Sequence, residues 1–452
     1  MNIQTSGEAQ AWTRKVKALA VGFLLAALIT AAAALPVHAS TTFVVTGTGD
    51  LPDTSTGDDR CDTEALQSGD QCTLRAAIQQ ADATAGADTI NFAIPGTGVQ
   101  TISPQSPLPA LTEQVTIDGY TQPGAHPNTK AAGNDAVLRI ALNGTNAGSS
   151  GFETVSGSSN NVIRGLVINR FTGIAGIHIH GTSSGNIVEG NFIGTDVTGT
   201  RDRGNEGDGV SVSFGSDDVV IGGTTPASRN VISGNDERGV EIGDATFTRV
   251  LGNRIGTTPD GKGALGNGLD GVSISGSNHQ VGDTTAAGSN TIAFNGGDGI
   301  SIPSGSNNSI DGNSIFSNAG LGIDLANDGP TPNDPGDADV GPNGLQNRPV
   351  LTAARTVSGK TTIKGELKSR PDSGYLIQFY SNPSGANEGK RFIGAKPTFV
   401  HTDSSGDATF TFSPTTKVPA GQMITATAQA VNLDASHGDT SEFSVPTKVA
   451  SS

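Results

Sequence analysis

One feature limits this 452-residue chain more than any other: its middle repeats itself. "GNFIGTDVTGT" (190–200) returns as "GNRIGTTPDGK" (252–262), and "GDGVSVS" (207–213) returns as "LDGVSIS" (269–275), both at an offset of 62 residues. "VIGGTTPASRNVISGN" (220–235) returns 60 residues later as "QVGDTTAAGSNTIAFN" (280–295), and "GVEI" (239–242) returns as "GISI" (299–302). Each unit of about sixty residues holds two shorter, similar passes. Within them "GIHIHG", "GVSVS", "GVEI", "GVSIS", "GISI" and "GIDL" alternate apolar with small or polar residues, the period of a strand buried on one side. Glycine and asparagine supply the corners.

Short strands at near-constant spacing bury their apolar sides only by stacking coil upon coil, so the pattern predicts a parallel β-helix. An antiparallel sandwich would not demand near-identical copies sixty residues apart. Coils about 4.8 Å apart put equivalent side chains in columns. Ile177, Val210, Val240, Val272, Ile300 and Ile323 form an inner aliphatic column. His178, Ser211, Glu241, Ser273, Ser301 and Asp324 form its outward neighbour. Asn161, Asn186, Asn230 and Asn290 recur at a corner where amides stack. In this frame the charged stretch "NVISGNDERGVEI" (230–242) is strand, corner and strand, with Arg238 in the slot that Asp208, Asp270 and Asp298 fill in other passes. Asp236, Glu237, Arg238 and Glu241 then read as solvated turn charges linked in a ladder of ion pairs.

Residues 1–39 have the order of a secretory signal peptide: Arg14, Lys15 and Lys17, an apolar run at 18–35, and Val37 and Ala39 before a cut. No second run of that length follows, so no membrane span is expected after its removal. The remainder carries 24 basic and 42 acidic residues, a net charge of −18, which repels nucleic acid, anionic membranes and polyanionic glycans unless cations intervene. Cys61 and Cys72 predict a local disulfide. "CTLRAAIQQADA" (72–83) reads as an amphipathic helix that covers the open N-terminal end of the solenoid.

"QCTLRAAI" with "TINFAIPGTG", then "IDGYTQPGAHPNT" and "LRIALNGTNAG", resembles bacterial secreted proteins named for an N-terminal CSLREA motif and followed by right-handed parallel β-helix (PbH1) repeats. Thr73 stands at the motif's serine and Ala76 at its glutamate. The resemblance implies the fold and its handedness, and it implies no reaction. After a β-helix at 40–328 and an acidic linker at 329–346, residues 347–452 show alternating strands at sandwich-like intervals. That spacing suits an immunoglobulin-like module that covers the far end, offers a binding surface or acts as a spacer.

Three sets of residues invite chemistry. Asp324, Asp328, Asp334, Asp337 and Asp339 are hard oxygen ligands of the kind calcium prefers, without EF-hand spacing. His178 and His180 alternate outward on one strand, as a metal pair or an acid and base would, but Ser211 and Ser213 of the next coil are poor third ligands. Glu241, with Asp208 or Asp244 as partner, or the pair Asp217 and Asp218, would suit a glycosidase. The reading that follows is a secreted, non-catalytic surface, adhesive or matrix-associated protein, glycan-contacting and calcium-stabilised, with an extracellular polysaccharide or cell-surface component as partner. The alternative is a polysaccharide lyase or glycoside hydrolase that uses the outward face, an expectation from fold alone.

Overall fold

The computed structural model describes residues 40–64, 71–431 and 437–451; the expected signal peptide lies outside the described residues. Short strands build three parallel sheets along one solenoid. Among the described residues the first sheet has nine strands, from Thr42–Val45 to Ser309–Ile310. The second has eight, from Gln100–Ile102 to Ser314–Phe316, and the third seven, from Phe152–Glu153 to Ile323–Leu325. This is a parallel β-helix.

Strand register places Ile177, Val210, Val240, Val272, Ile300 and Ile323 one above the next, with Phe152 under Ile177. The first sheet supplies a matching column that includes Ile117, Ile163, Val188, Ile221 and Val250. The second supplies Ile168, Ile193, Ile232, Ile255 and Ile292. All are buried in one core. β-Branched side chains fit such a pleated interior, and each full burial stabilises by about 1.5–3 kcal/mol. Ser211 and Glu241, partners on adjacent strands, are 30 residues apart, so the sixty-residue sequence repeat is two coils.

Glycine precedes the third-sheet aliphatic in coil after coil for a steric reason. A Cβ on Gly209, Gly239, Gly271 or Gly299 would lie 2.4, 2.6, 2.4 or 2.5 Å from Cγ2 of Ile232, Ile255, Ile292 or Ile315. The second sheet's isoleucines pack directly against this backbone, and only glycine leaves them room.

Asparagine ladders bind the corners. Asn161 stacks on Asn186. A second ladder runs Asn191, Asn230, Asn253, Asn290, Asn313. A third runs Asn205, Asn235, Asn267, Asn295, Asn318. In each, the side-chain Oδ1 of the next coil accepts from the Nδ2 of the coil before it. The four asparagines expected at one corner therefore divide between two, and the third ladder completes the set.

At the N-terminal end the helix Leu74–Ala83 buries Leu74, Ala77, Ile78 and Ala81. It starts two residues after the expected boundary because Thr73 is the cap, its side chain accepting from the Ala76 backbone N–H. Cys61 and Cys72 form the disulfide, which pins the loop before the helix. Arg75 ties the helix to Asp50 at 2.9 Å and to the Pro107 carbonyl at 2.7 Å.

The described residues between 350 and 451 form two further sheets, largely antiparallel, around Ile363, Leu367, Ile377, Phe379, Phe410 and Ile424. This sandwich closes the last coil, one of the three roles the sequence left open. Ile315 and Gly389 exchange backbone hydrogen bonds. Gln378 accepts from the Gly312 N–H and donates to the Ile310 carbonyl and to Asp311. Glu388 accepts from the Ser317 N–H and the Asn318 side chain. The acidic segment 329–346 is drawn into this seam: Asp337 is buried and accepts from the Asn347 N–H at 2.8 Å and the Ser369 hydroxyl at 2.7 Å. Its composition resembles a solvated linker, but the Asp337 carboxylate acts as a hydrogen-bond acceptor for the sandwich.

Candidate functional site

The outward face of the third sheet carries two polar columns. The first runs Glu153, His178, Ser211, Glu241, Ser273, Ser301, Asp324, in the order read from the repeat. Beside it lies the slot column, which includes Asp208, Arg238, Asp270 and Asp298. Each slot aspartate reaches one coil onward: Asp208 accepts from the Arg238 N–H at 2.9 Å, Asp270 from the Asp298 N–H at 2.8 Å, and Asp298 from the Leu321 N–H. A short carboxylate spans one coil rise, which is why aspartate recurs there.

Of the stretch read as solvated turn charges in a ladder of ion pairs, Asp236 and Glu237 are exposed and Arg238 and Glu241 half-buried, whereas the slot aspartates beside them are enclosed. Asp208 is 2% exposed and Asp270 9%, because stacked neighbours above and below exclude water. Arg238 lies 3.9 Å from Asp208, 3.8 Å from Glu241 and 4.0 Å from Asp270, and it also approaches Glu237. Ser211 donates to Glu241 at 3.2 Å. Burial, with the hydrogen-bonded Glu241 carboxylate beside it, pushes Asp208 up to about 8. Asp208 and Glu241 thus face the same guanidinium, that of Arg238, at 3.9 and 3.8 Å. Burial, with Asp324 and Asp270 near, holds Asp298 at about 6. Asp217 accepts from the Thr246 hydroxyl and Asp218 pairs with Arg249 at 3.1 Å, both at the neighbouring corner, while Asp244 is exposed.

His178 and His180 stack at 4.3 Å. Burial, and secondarily His180, lowers His178 to about 4, and its Nε2 lies 3.1 Å from the Ser213 hydroxyl. The ring is neutral and engaged within the fold. His180 meets the edge of Phe214 at 6.4 Å.

Phe214 leads to residues that the sequence reading passed over. It is 65% exposed with φ +55°, and Phe247 is 55% exposed with φ +52°. Phe247 occupies a corner stacked between Asp218 and Asn278, which hold the same left-handed conformation. Asparagine and aspartate tolerate that conformation; a bulky aromatic does so at a cost of about 1–2 kcal/mol. The detectable signal is Phe247 itself, an aromatic in a column of small polar residues.

Comparison with known proteins adds little to this geometry. No family model matches the chain, and no curated protein matches it. Among solved structures it is similar to a mutant of the periplasmic alginate epimerase AlgG, at 14% identity over 53% of this chain and 62% of that one, with a TM-score of 0.30. The chain spans less than two thirds of that protein's length.

The five aspartates read as calcium ligands divide into two groups. Asp334, Asp337 and Asp339 bring carboxylate oxygens within 4.8 Å of one another. Asp324 instead belongs to the third-sheet face, accepts from the Gly329 N–H and has Asp328 beside it. The division follows from chain geometry, since Asp324 is fixed in the last coil's strand while the later three lie in the seam. The Oδ1 atoms of Asp334 and Asp339 are buried without a protein partner, which suits a hard cation, whereas Arg370 lies 3.8 Å from Asp337 and offsets part of the charge. No described helix is long and apolar enough to cross a membrane.

Proposed function

We propose that this is a secreted, non-catalytic β-helix protein of the cell surface or matrix, which holds an extracellular polysaccharide against the edge of its third sheet. The observation that carries the reading is the pair Phe214 and Phe247. Both are large aromatics kept in solvent and in left-handed backbone conformation, two unfavourable states at once. Local strain retained at exposed positions is a mark of contact surfaces, and aromatic faces pack on the apolar faces of sugar rings. The outward polar residues of the coils support a scaffold role, because they are engaged in coil-to-coil bonds. In affinity electrophoresis against a panel of polysaccharides, Phe214→Ala with Phe247→Ala is expected to abolish retardation on the glycan that slows the wild type. Equal retardation of both proteins on every glycan would overturn the reading. Phe247→Asn is expected to stabilise the fold by about 1 kcal/mol in urea titration while weakening binding.

One observation favours the alternative, acid–base chemistry on a saccharide: two carboxylates, Asp208 and Glu241, meet one guanidinium, Arg238, and burial raises the Asp208 carboxyl. That reading expects a new product or reducing end from some glycan, lost in Asp208→Asn and in Glu241→Gln. Calcium, on this proposal, is held by Asp334, Asp337 and Asp339, and it stabilises the seam. The melting temperature is expected to fall on chelation in the wild type and to be unmoved by chelator in Asp339→Asn.

A further inference from the structure

A second concave site lies where the second sheet meets the sandwich, away from Phe214 and Phe247, and its charge is opposite to that of the chain. Its floor is one column of the second sheet's outward face: Arg254, Thr291 and Ser314 stand in register on successive coils. One wall is the loop carrying Thr285 and Ser289, and the other is Lys390, Arg391 and Phe392 of the sandwich. The cavity measures about 370 Å³, within the range of small-ligand sites. Three cations line it and no carboxylate does, in a protein of net charge −16.

The cations are arranged rather than scattered. Arg254 is pinned by its Nη1 donating to the Thr291 hydroxyl at 2.7 Å, and its Nε is buried with no acceptor. The nearest acidic influence on it, Asp260, is occupied by the Thr258 hydroxyl and the Lys262 N–H. Lys390 lies 4.2 Å over the Phe316 ring, and its carbonyl accepts from Ser314, so the sandwich wall is fixed to the floor. Asp283, in the adjoining loop, is bonded to the Thr285 N–H and hydroxyl and turned into its own turn. Guanidinium forks recognise planar oxyanions in two-pronged fashion. The hydroxyls of Thr285, Ser289 and Thr291 and the half-buried face of Phe392 supply what a sugar ring needs beside its anionic group.

We infer that this pocket binds the carboxylate of a uronic acid residue in an acidic polysaccharide. The chain's net charge repels such a polymer in general, and the pocket is the local exception that gives it one place to dock. The inference stands independently of the Phe214 and Phe247 surface.

Isothermal titration of the mature chain with uronic acid trisaccharides, with the same trisaccharides after carboxyl reduction, and with inorganic phosphate tests it. The uronate is expected to bind, more weakly as salt rises, and the reduced sugar to lose binding at least about tenfold. Lys390→Ala with Arg391→Ala, both exposed side chains, is expected to weaken uronate binding about tenfold or more, with only the small fall in melting temperature that loss of the Lys390–Phe316 contact brings. Phe214→Ala with Phe247→Ala is expected to leave it untouched. Arg254→Gln adds the floor cation, and the double variant at the rim decides the matter if that protein fails to fold. Uronate affinity equal in wild type and rim variant, absence of uronate binding at millimolar ligand, or phosphate binding without uronate binding would each overturn the inference.

Discussion

Asn253 shows how a single residue holds this fold. It is fully buried; its Oδ1 accepts from the Asn230 backbone and side chain, and its Nδ2 donates to the Ile221 carbonyl and to Asn290. Asn253→Ala strands those groups without water, so we expect a loss of about 3 kcal/mol or more in urea denaturation. Asp236→Ala, at an exposed corner, should stay within about 0.5 kcal/mol. A second residue-scale expectation concerns acid. Burial lowers His279 from 6.5 to about 4. The unfolded chain therefore takes up a proton at a pH where the folded chain refuses it. Stability from this group is complete above pH 6.5 and is lost as pH falls from 6.5 towards 4. His279→Gln, which keeps an acceptor for the Thr248 N–H, should flatten the stability profile in that window by about one proton, or about 1.4 kcal/mol per pH unit. The outward His178 column was legible residue by residue, because a period of two assigns faces. Its burial was not, since exclusion of water depends on what stacks above and below, and so neither the enclosure of His178 nor that of Asp208 in the column beside it shows in the pattern.

At the scale of elements, the strands were legible because each pass carries the same glycine, aliphatic and polar sequence. The reason for the glycine was not, since it concerns an isoleucine that is distant in sequence. Gly239→Ala would put a methyl 2.6 Å from Ile255 Cγ2 and 2.7 Å from the Gly271 carbonyl. We expect a cost of about 1–3 kcal/mol or more, measured by denaturant midpoint, although alanine has the better intrinsic strand preference. The helical cap was legible from Leu74, Ala77, Ile78 and Ala81, and its start was misplaced by two residues because Thr73 caps through geometry rather than hydropathy. The grouping of the five aspartates was not legible: a run of acids fixes composition, but which oxygens converge depends on where Asp324 leaves the last strand and where Asp337 enters the seam. The basic pocket had no sequence signature at all, because Arg254 and Lys390 meet only when the sandwich docks.

At the scale of the whole molecule, the sandwich is part of the solenoid's own hydrogen-bond accounting. Gln378, Glu388 and Glu442 serve backbone groups of the final coil. Removing residues 347–452 should leave those groups and the last strands unpaired, and light scattering should report association of the truncated chain where the full chain stays monodisperse. The amide ladders add a consequence of their own. Every rung donates towards the C-terminus, so each file of asparagines has a direction, like a row of arrows. The third file ends on a group that receives and cannot pass the signal on. Glu388 is that group beneath Asn318, while an asparagine there would present free hydrogens and call for another storey. That column is thus closed by the chemistry of its last stone: further coils inserted ahead of it would be accepted in sequence, each adding about 4.8 Å of height, with the same carboxylate ending the column.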